Sequence, residues 1–401
     1  MKQFGVPSHE AERRPFQFGT SAEASMRTFT VAWDATRLAR VRERVRAHRM
    51  PHLPAEAGWR YGCDPAFLAD LCAHWLDGFD EAKAAAELNR FPQRLIRIED
   101  LDLHVVHVVG EAEGRRPLLL IHGWPGSIYE FWSVIEPLAF PSRHGGRSED
   151  AFDLVIPALP GFGFSGKPAA PIGPRTTARL FDNLMREGLG YPRYRVQGGD
   201  WGSGVAAWLG LDHAASLEAI HLNYLLVQPD AEPESAAERA WQREAQACQQ
   251  ALGAYAQLQG TRPLSLGYAM AEEPVAQLAW LVERFHDWAD LRERPFAEVF
   301  SKDRLLTNAL LYILTDAFAT STWIYAGAQQ EGARRMPPGR RVTVPTAFAA
   351  YPDPRMPAPP REWLERGYAV SRWQTMPRGG HFAAMEAQDL FVRDLREWGR
   401  G

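Results

Sequence analysis

The sequence predicts an α/β fold in which a helical block interrupts a parallel sheet and a further helical region precedes it. Three observations carry this. From about residue 95, short apolar runs alternate with runs of helical period. At about 227 the alternation gives way to helical pattern alone, and strand character returns only after about 325. At 194–204 an apolar-leaning run ends in Gly198-Gly199-Asp200-Trp201-Gly202 and passes directly into a small-residue helical pattern. Strands alternating with helices imply a parallel sheet covered on both faces.

Taken in order, residues 1–35 are mixed and read as partly extended. Residues 34–49 place Leu38, Val41 and Val45 on one helical face. Proline and glycine interrupt between 51 and 58. Two more helical runs come next, 65–78 with Phe67, Leu68, Leu71 and Trp75, and 79–88. Residues 95–98 and 103–109 read as two strands joined by a turn at 99–102. Strands are then expected at 117–121, 152–158, 195–199 and 217–222, and helices at 128–138, 176–185 and from Asp200 to about 213. The helical interruption has runs at 236–259, 275–287 and 305–325. Strands return at 342–348 and 370–374, residues 352–360 form a proline-rich loop, and a helix closes the chain at 382–398. This divides the chain into a mostly helical region (1–94), the first part of an α/β core (95–226), a helical cap (227–330) and the second part of the core (331–401). It is the architecture of an α/β hydrolase with a cap. Ligands in open α/β sheets sit at the carboxyl ends of the strands, and the cap would close over that edge.

Composition narrows the function. Hydrophobic residues make up 46% and charged residues 23%, the balance of a globular chain with a sizeable core. A net charge of −4 without a basic block makes nucleic acid an unexpected partner. Cys63, Cys72 and Cys248 are odd in number and widely spaced, and read as reduced thiols of a cytosolic protein. Charges run through the first thirty residues, and the pair Arg13-Arg14 opens no apolar segment. A soluble, cytoplasmic protein without a membrane anchor is expected. No metal or organic cofactor is implied, and a homodimer is left open.

The chemistry centres on Asp200. Glycines two residues before and after it, at a strand-to-helix junction, form the nucleophile-elbow pattern. A serine there needs a base before it attacks. A carboxylate is ionised at neutral pH and can attack a strained carbon–heteroatom bond directly, forming an ester. His122-Gly123-Trp124-Pro125-Gly126 comes after the expected strand 117–121, so the Trp124 N–H, with the Trp201 N–H after the nucleophile, would form an oxyanion hole. Of twelve histidines, only His381 occupies the loop between the last strand and the last helix, where such folds place their base. Asp353, just after the strand 342–348, is the candidate acid to orient it, with Glu362 and Asp316 as alternatives.

These residues resemble the microsomal-type epoxide hydrolases, including the related bacterial and juvenile-hormone enzymes, over nearly the whole chain. Trp59-Arg60-Tyr61-Gly62 and Leu88-Asn89-Arg90-Phe91-Pro92 resemble that family's N-terminal domain. His122–Ser127, Leu159-Pro160-Gly161-Phe162-Gly163-Phe164-Ser165, Gly198–Gly202, Val344–Phe348 and Arg378-Gly379-Gly380-His381-Phe382 match its core motifs. The resemblance implies two cap tyrosines that donate protons to the epoxide oxygen. Tyr325 matches the second and Tyr255 best matches the first, with Tyr268 as competitor. It also implies a small apolar epoxide as substrate, with detoxification or aromatic hydrocarbon catabolism as the setting. Two departures stand out. Asp353 comes one position earlier than the family's acid, and Phe79-Asp80-Glu81-Ala82 replaces a tryptophan–arginine pair. A haloalkane dehalogenase, which also uses an aspartate nucleophile, is the nearest rival, and a non-catalytic ligand-binding homologue is a third reading.

Overall fold

Aliphatic and β-branched runs in the core are apolar on both faces, as strands buried between two helical layers require. In the computed structural model, which describes residues 25–401 apart from 55, 112 and 115, they form one nine-stranded sheet. The strands are β1 (Met26–Phe29), β2 (Gln93–Ile98), β3 (Leu101–Val108), β4 (Arg116–Ile121), β5 (Phe152–Pro157), β6 (Tyr194–Gly198), β7 (Leu217–Leu222), β8 (Val342–Ala350) and β9 (Tyr368–Thr375). Their order is β1-β2-β3-β5-β4-β6-β7-β8-β9. Pairings from β5 through β9 are parallel, and β1, β2 and β3 add an antiparallel edge.

Alternation along β4 assigns the two layers. Leu118 and Leu120 belong to one buried cluster, and Leu119 and Ile121 to the other, because successive strand side chains point to opposite faces. The first layer holds α4 (Trp132–Ala139) together with α16 (Ala383–Glu386) and α17 (Gln388–Gly399) near the chain's end. The second holds α5 (Pro174–Asn183) and α6 (Asp200–Asp212). Helix α6 crosses very close to β4. A side chain at Gly202 would collide with the Ile121 carbonyl oxygen, so only glycine fits.

Ahead of the core lie α1 (Ala35–Ala47), α2 (Pro65–Asp77) and α3 (Glu81–Leu88). Each has an aspartate N-cap, Asp34, Asp64 and Asp80, whose carboxylate accepts first-turn N–H groups. Between β7 and β8 the chain forms α7 (Ala236–Leu252), α8 (Ala254–Thr261), α9 (Pro263–Met270), α10 (Pro274–Trp288), α11 (Phe296–Val299), α12 (Lys302–Ile313), α13 (Ala317–Ser321) and α14 (Trp323–Gln330). A short α15 (Arg361–Glu365) joins β8 to β9.

Several expected elements are subdivided. The run 236–259 is two helices broken at Gly253, and the run 305–325 is broken at Asp316, whose φ of 54° is left-handed. The closing helix splits at Ala387, and the expected turn at 99–102 is shorter, since β3 starts at Leu101. Helix α9 falls between the named runs, within the stretch whose pattern is helical throughout. Residues 1–24, including Arg13-Arg14, lie outside the described residues. Among the described residues no helix is long and apolar enough to cross a membrane.

Candidate active site

The ends of four strands converge on one point. Trp124 comes after β4, Asp200 after β6, Asp353 after β8 and His381 after β9. All four lie past the carboxyl ends of their strands, where open α/β sheets bind ligands. Asp200 has a φ of 42°, the left-handed backbone of a nucleophile elbow. This conformation costs free energy and is kept where packing enforces it. Here Gly123 supplies the room: a side chain on it would overlap the Asp200 carboxylate.

The Asp200 carboxylate is held asymmetrically. Its Oδ1 accepts the Trp124 N–H at 2.8 Å, and its Oδ2 lies 3.4 Å from His381 Nε2. The Trp201 N–H, the second expected donor, belongs to the first turn of α6, whose opening N–H groups have no partner within the helix. The loop bearing Trp124 is fixed from the cap. Asn308 Nδ2 donates to the Pro125 carbonyl (2.9 Å), Tyr312 Oη donates to the Gly126 carbonyl (2.5 Å), and Ser127 Oγ donates to Asn308 Oδ1 (2.7 Å). His122 is structural. Its Nδ1 faces the Gly123 carbonyl (2.9 Å) and its Nε2 accepts the Leu159 N–H (3.1 Å). Burial pushes its pKa down to about 4.

His381 is 5% exposed, and its Nδ1 lies 2.7 Å from Asp353 Oδ2. Burial opposes the imidazolium, but the carboxylates of Asp353 and Asp200 outweigh it and hold the pKa well above 6.5. The backbone of this loop is braced by groups that carry no motif in the sequence. The His381 N–H donates to the Trp288 carbonyl (3.0 Å). The Glu386 carboxylate accepts the N–H groups of Asp290, Gly380 and Phe382 at 2.7–2.9 Å. The alternative acids lie elsewhere: Asp316 is paired with Arg37, and Glu362 accepts a hydrogen bond from Ser235 Oγ.

A cavity of about 180 Å³ opens in front of Asp200, lined in part by Trp201, Tyr224, Tyr255 and Tyr325. Tyr255 and Tyr325 stand with ring centroids 5.8 Å apart, both against Trp124. The Tyr325 hydroxyl is buried, with the Tyr255 hydroxyl and the Trp201 indole beside it. Burial, with Tyr255 and Asp200 nearby, raises its pKa well above 10, so it stays protonated at neutral pH. Tyr268 is 82% exposed on α9, away from this cavity. The lining is less apolar than expected. Gln249, Arg334 and Arg355 contribute to it, and the Tyr224 ring packs 5.3 Å from His381. None of these carried a motif. Arg355 had one sequence signal, its place two residues after Asp353.

Comparison with known proteins finds relatives of the chain and of its fold. The profile described as epoxide hydrolase N terminus matches residues 26–131, and that of the α/β-hydrolase fold matches residues 116–304. A protein of Stigmatella aurantiaca, provisionally named epoxide hydrolase, is 38% identical over 92% of this chain and 83% of its own length. The structure of Aspergillus niger epoxide hydrolase superposes with a TM-score of 0.80 at 30% identity, covering 96% of this chain and 98% of that one. The crystal structure of juvenile hormone epoxide hydrolase from Bombyx mori gives a TM-score of 0.82 at 26% identity, covering 94% and 95%.

Proposed function

The chain belongs to the epoxide hydrolase family of the α/β-hydrolase fold, and from that premise we propose that it converts an epoxide to a vicinal diol through an ester on Asp200. The observation that carries this is the asymmetric Asp200 carboxylate: one oxygen sits on the Trp124 N–H, while the other lies toward His381 in a cavity shared with two tyrosines.

In the first step Asp200 Oδ2 attacks an epoxide carbon and the C–O bond of the ring breaks. Tyr325 or Tyr255 gives its proton to the leaving oxygen and becomes a tyrosinate. The ester carries no charge, so one of the two carboxylates that raise the His381 pKa is lost. His381 can then give up its proton, which restores the tyrosine. In the second step neutral His381 takes a proton from water as the hydroxide adds to the Asp200 carbonyl carbon. The Trp124 and Trp201 N–H groups stabilise the oxyanion, a contribution of about 3–4 kcal/mol per donor. The ester C–O bond breaks, the new carboxylic acid gives its proton to the departing alkoxide, and the diol leaves. His381 is again charged and oriented by Asp353.

The test is to arrest the second step. His381→Gln exposed to a panel of epoxides should gain the mass of one epoxide, mapped to the peptide containing Asp200. A single wild-type turnover in ¹⁸O-water should label that peptide. Label found only in the diol would exclude the covalent route. One observation favours a second reading: the Trp124 indole N–H is buried without a partner and the Trp201 indole N–H has only the Tyr325 hydroxyl beside it, and such donors would suit a halide. Bromide release from a bromoalkane without diol formation from any epoxide would establish that reading instead.

A further inference from the structure

The cavity in front of Asp200 contains a charge that the mechanism does not use. Arg355 lines it and is only 4% exposed. Its Nη2 donates to Gln249 Oε1 at 2.8 Å and the Tyr255 hydroxyl lies beside the guanidinium, while Nε and Nη1 make no well-aligned hydrogen bond. The guanidinium is held against aromatic rings, 5.8 Å from the centroids of both Tyr255 and Trp288. The nearest acid in the chain, Asp353, is already engaged. Its Oδ2 faces His381 Nδ1, and its Oδ1 accepts the backbone N–H of Arg355 itself. A second arginine, Arg334, lines the same cavity from an exposed position over the Trp201 ring, at 5.1 Å. Asp200 is the one acid among the lining residues.

A buried guanidinium is costly unless its donors and its charge are both met. Arginine keeps its proton in proteins, so Arg355 cannot escape that cost by neutralising. Its planar array of donors matches a carboxylate better than any neutral group does.

We propose that Arg355 recognises an anionic group on the substrate, and that the epoxide opened here carries a carboxylate close to the ring. The proposal rests on the epoxide hydrolase reading above and names the substrate class of that same site. Size restricts it further. About 180 Å³ is below the roughly 300–1,000 Å³ of pockets for drug-sized ligands. Asp200 and Arg355 both line this small space, so a carboxylate met by Arg355 sits near an epoxide presented to Asp200, as in 2,3-epoxy acids. Charge also supports the pairing. A lone Asp200 would repel an arriving carboxylate. Arg334 at an exposed position draws the anion in, and Arg355 inside offsets the repulsion at the reacting end.

The experiment compares 3-methylglycidate with its uncharged carboxamide, together with styrene oxide, on the wild-type enzyme. The carboxylate is expected to exceed the amide by about tenfold or more in kcat/KM, the order expected for a buried charge-assisted contact. Arg355→Gln should collapse that ratio toward one, mostly through KM on the carboxylate, and Arg355→Lys should restore part of it. Equal wild-type rates on the pair would overturn the proposal. So would an Arg355→Gln enzyme that slows both substrates equally, because Arg355 would then act on Tyr255 or the Asp353 loop. Should Arg355→Gln fail to fold, the wild-type ratio alone decides. Turnover of styrene oxide without preference for the carboxylate sinks only the anion proposal. No turnover of any of the three, with no ester on Asp200 in the His381→Gln protein, sinks the epoxide hydrolase reading itself.

Discussion

His381 stands between two carboxylates that the proposed cycle uses differently. Asp200 loses its charge on forming the ester, while Asp353, 2.7 Å from Nδ1, forms no bond to the substrate. Asp353→Asn should therefore leave ester formation intact and slow ester hydrolysis, by roughly 10²–10⁴ on the precedent of triad acids. Rapid quenching and then mass spectrometry should find the ester accumulating, and normal turnover would mean that another group orients His381. A second residue makes a prediction about pH. Glu130 lies beside this site with its carboxyl pushed up to about 8, by burial first, with Asp200 and Glu386 adding to it and His381 opposing. Folding thus favours the protonated form. The stability this gives is complete below the ordinary value of 4.5 and is lost as pH rises toward 8. Glu130→Gln, neutral throughout, should melt progressively higher relative to wild type as pH is raised from 5 to 8.5. Parallel melting curves would show that Glu130 does not carry this slope. Asp200, His381 and Asp353 were legible in the sequence because glycines and strand ends mark them. Glu130, Glu386 and Arg355 were not, because no motif marks them and their roles depend on contacts with distant residues such as Asp200, Asp290 and Gln249.

At the scale of elements, the elbow depends on two backbones in near contact. Helix α6 starts at Asp200, and its Gly202 faces the Ile121 carbonyl at the end of β4. Gly202→Ala would drive a methyl group into that oxygen. Either α6 or the loop carrying Trp124 would have to move, at a cost of about 3 kcal/mol. The expected result is a clear fall in melting temperature, with loss of activity beyond what the unfolded fraction explains. A variant that keeps wild-type stability and rates would show that the junction can relax. The glycines around Asp200 foretold this junction, since their spacing has few other uses. Cap boundaries were harder to read. Gly253 lies inside an otherwise continuous helical period, and Asp316 adopts a left-handed backbone that is uncommon for a non-glycine residue. Periodicity reports which face is buried, and it does not register a change of axis that leaves the same face buried.

At the scale of the whole molecule, the sequence pattern sets the first helices apart from the α/β core and the cap, and the structure ties them to both. β1 adds an edge strand to the sheet, and α1 and α2 reach the cap. Polar links such as Arg40–Glu272 (3.0 Å) and Lys302–Asp70 (2.5 Å) span that junction. They are largely exposed, and pairs of this kind are worth about 0–1 kcal/mol. The stronger tie is aromatic. The Trp59 ring stacks on His286 of α10 with centroids 3.8 Å apart, and packs against Phe67 of α2 and Phe296 of α11. No periodicity in the sequence could pair residue 59 with 286, because the contact is made only when the cap folds back over the preceding helices. Helix α10 ends at Trp288, whose carbonyl holds the His381 N–H and whose ring faces His381 at 4.8 Å. Loosening Trp59 should thus be felt at the base as well as in stability. Trp59→Ala is expected to cost about 2 kcal/mol, less than a fully buried tryptophan because the ring is half-buried. It should also slow ester hydrolysis more than ester formation, since His381 returns a proton to the tyrosinate only after the ring has opened and is the base for water in the second step. Separating the two rates by single-turnover kinetics checks this. An equal effect on both, or a stability loss with unchanged rates, would mean that the clasp braces the fold without positioning His381.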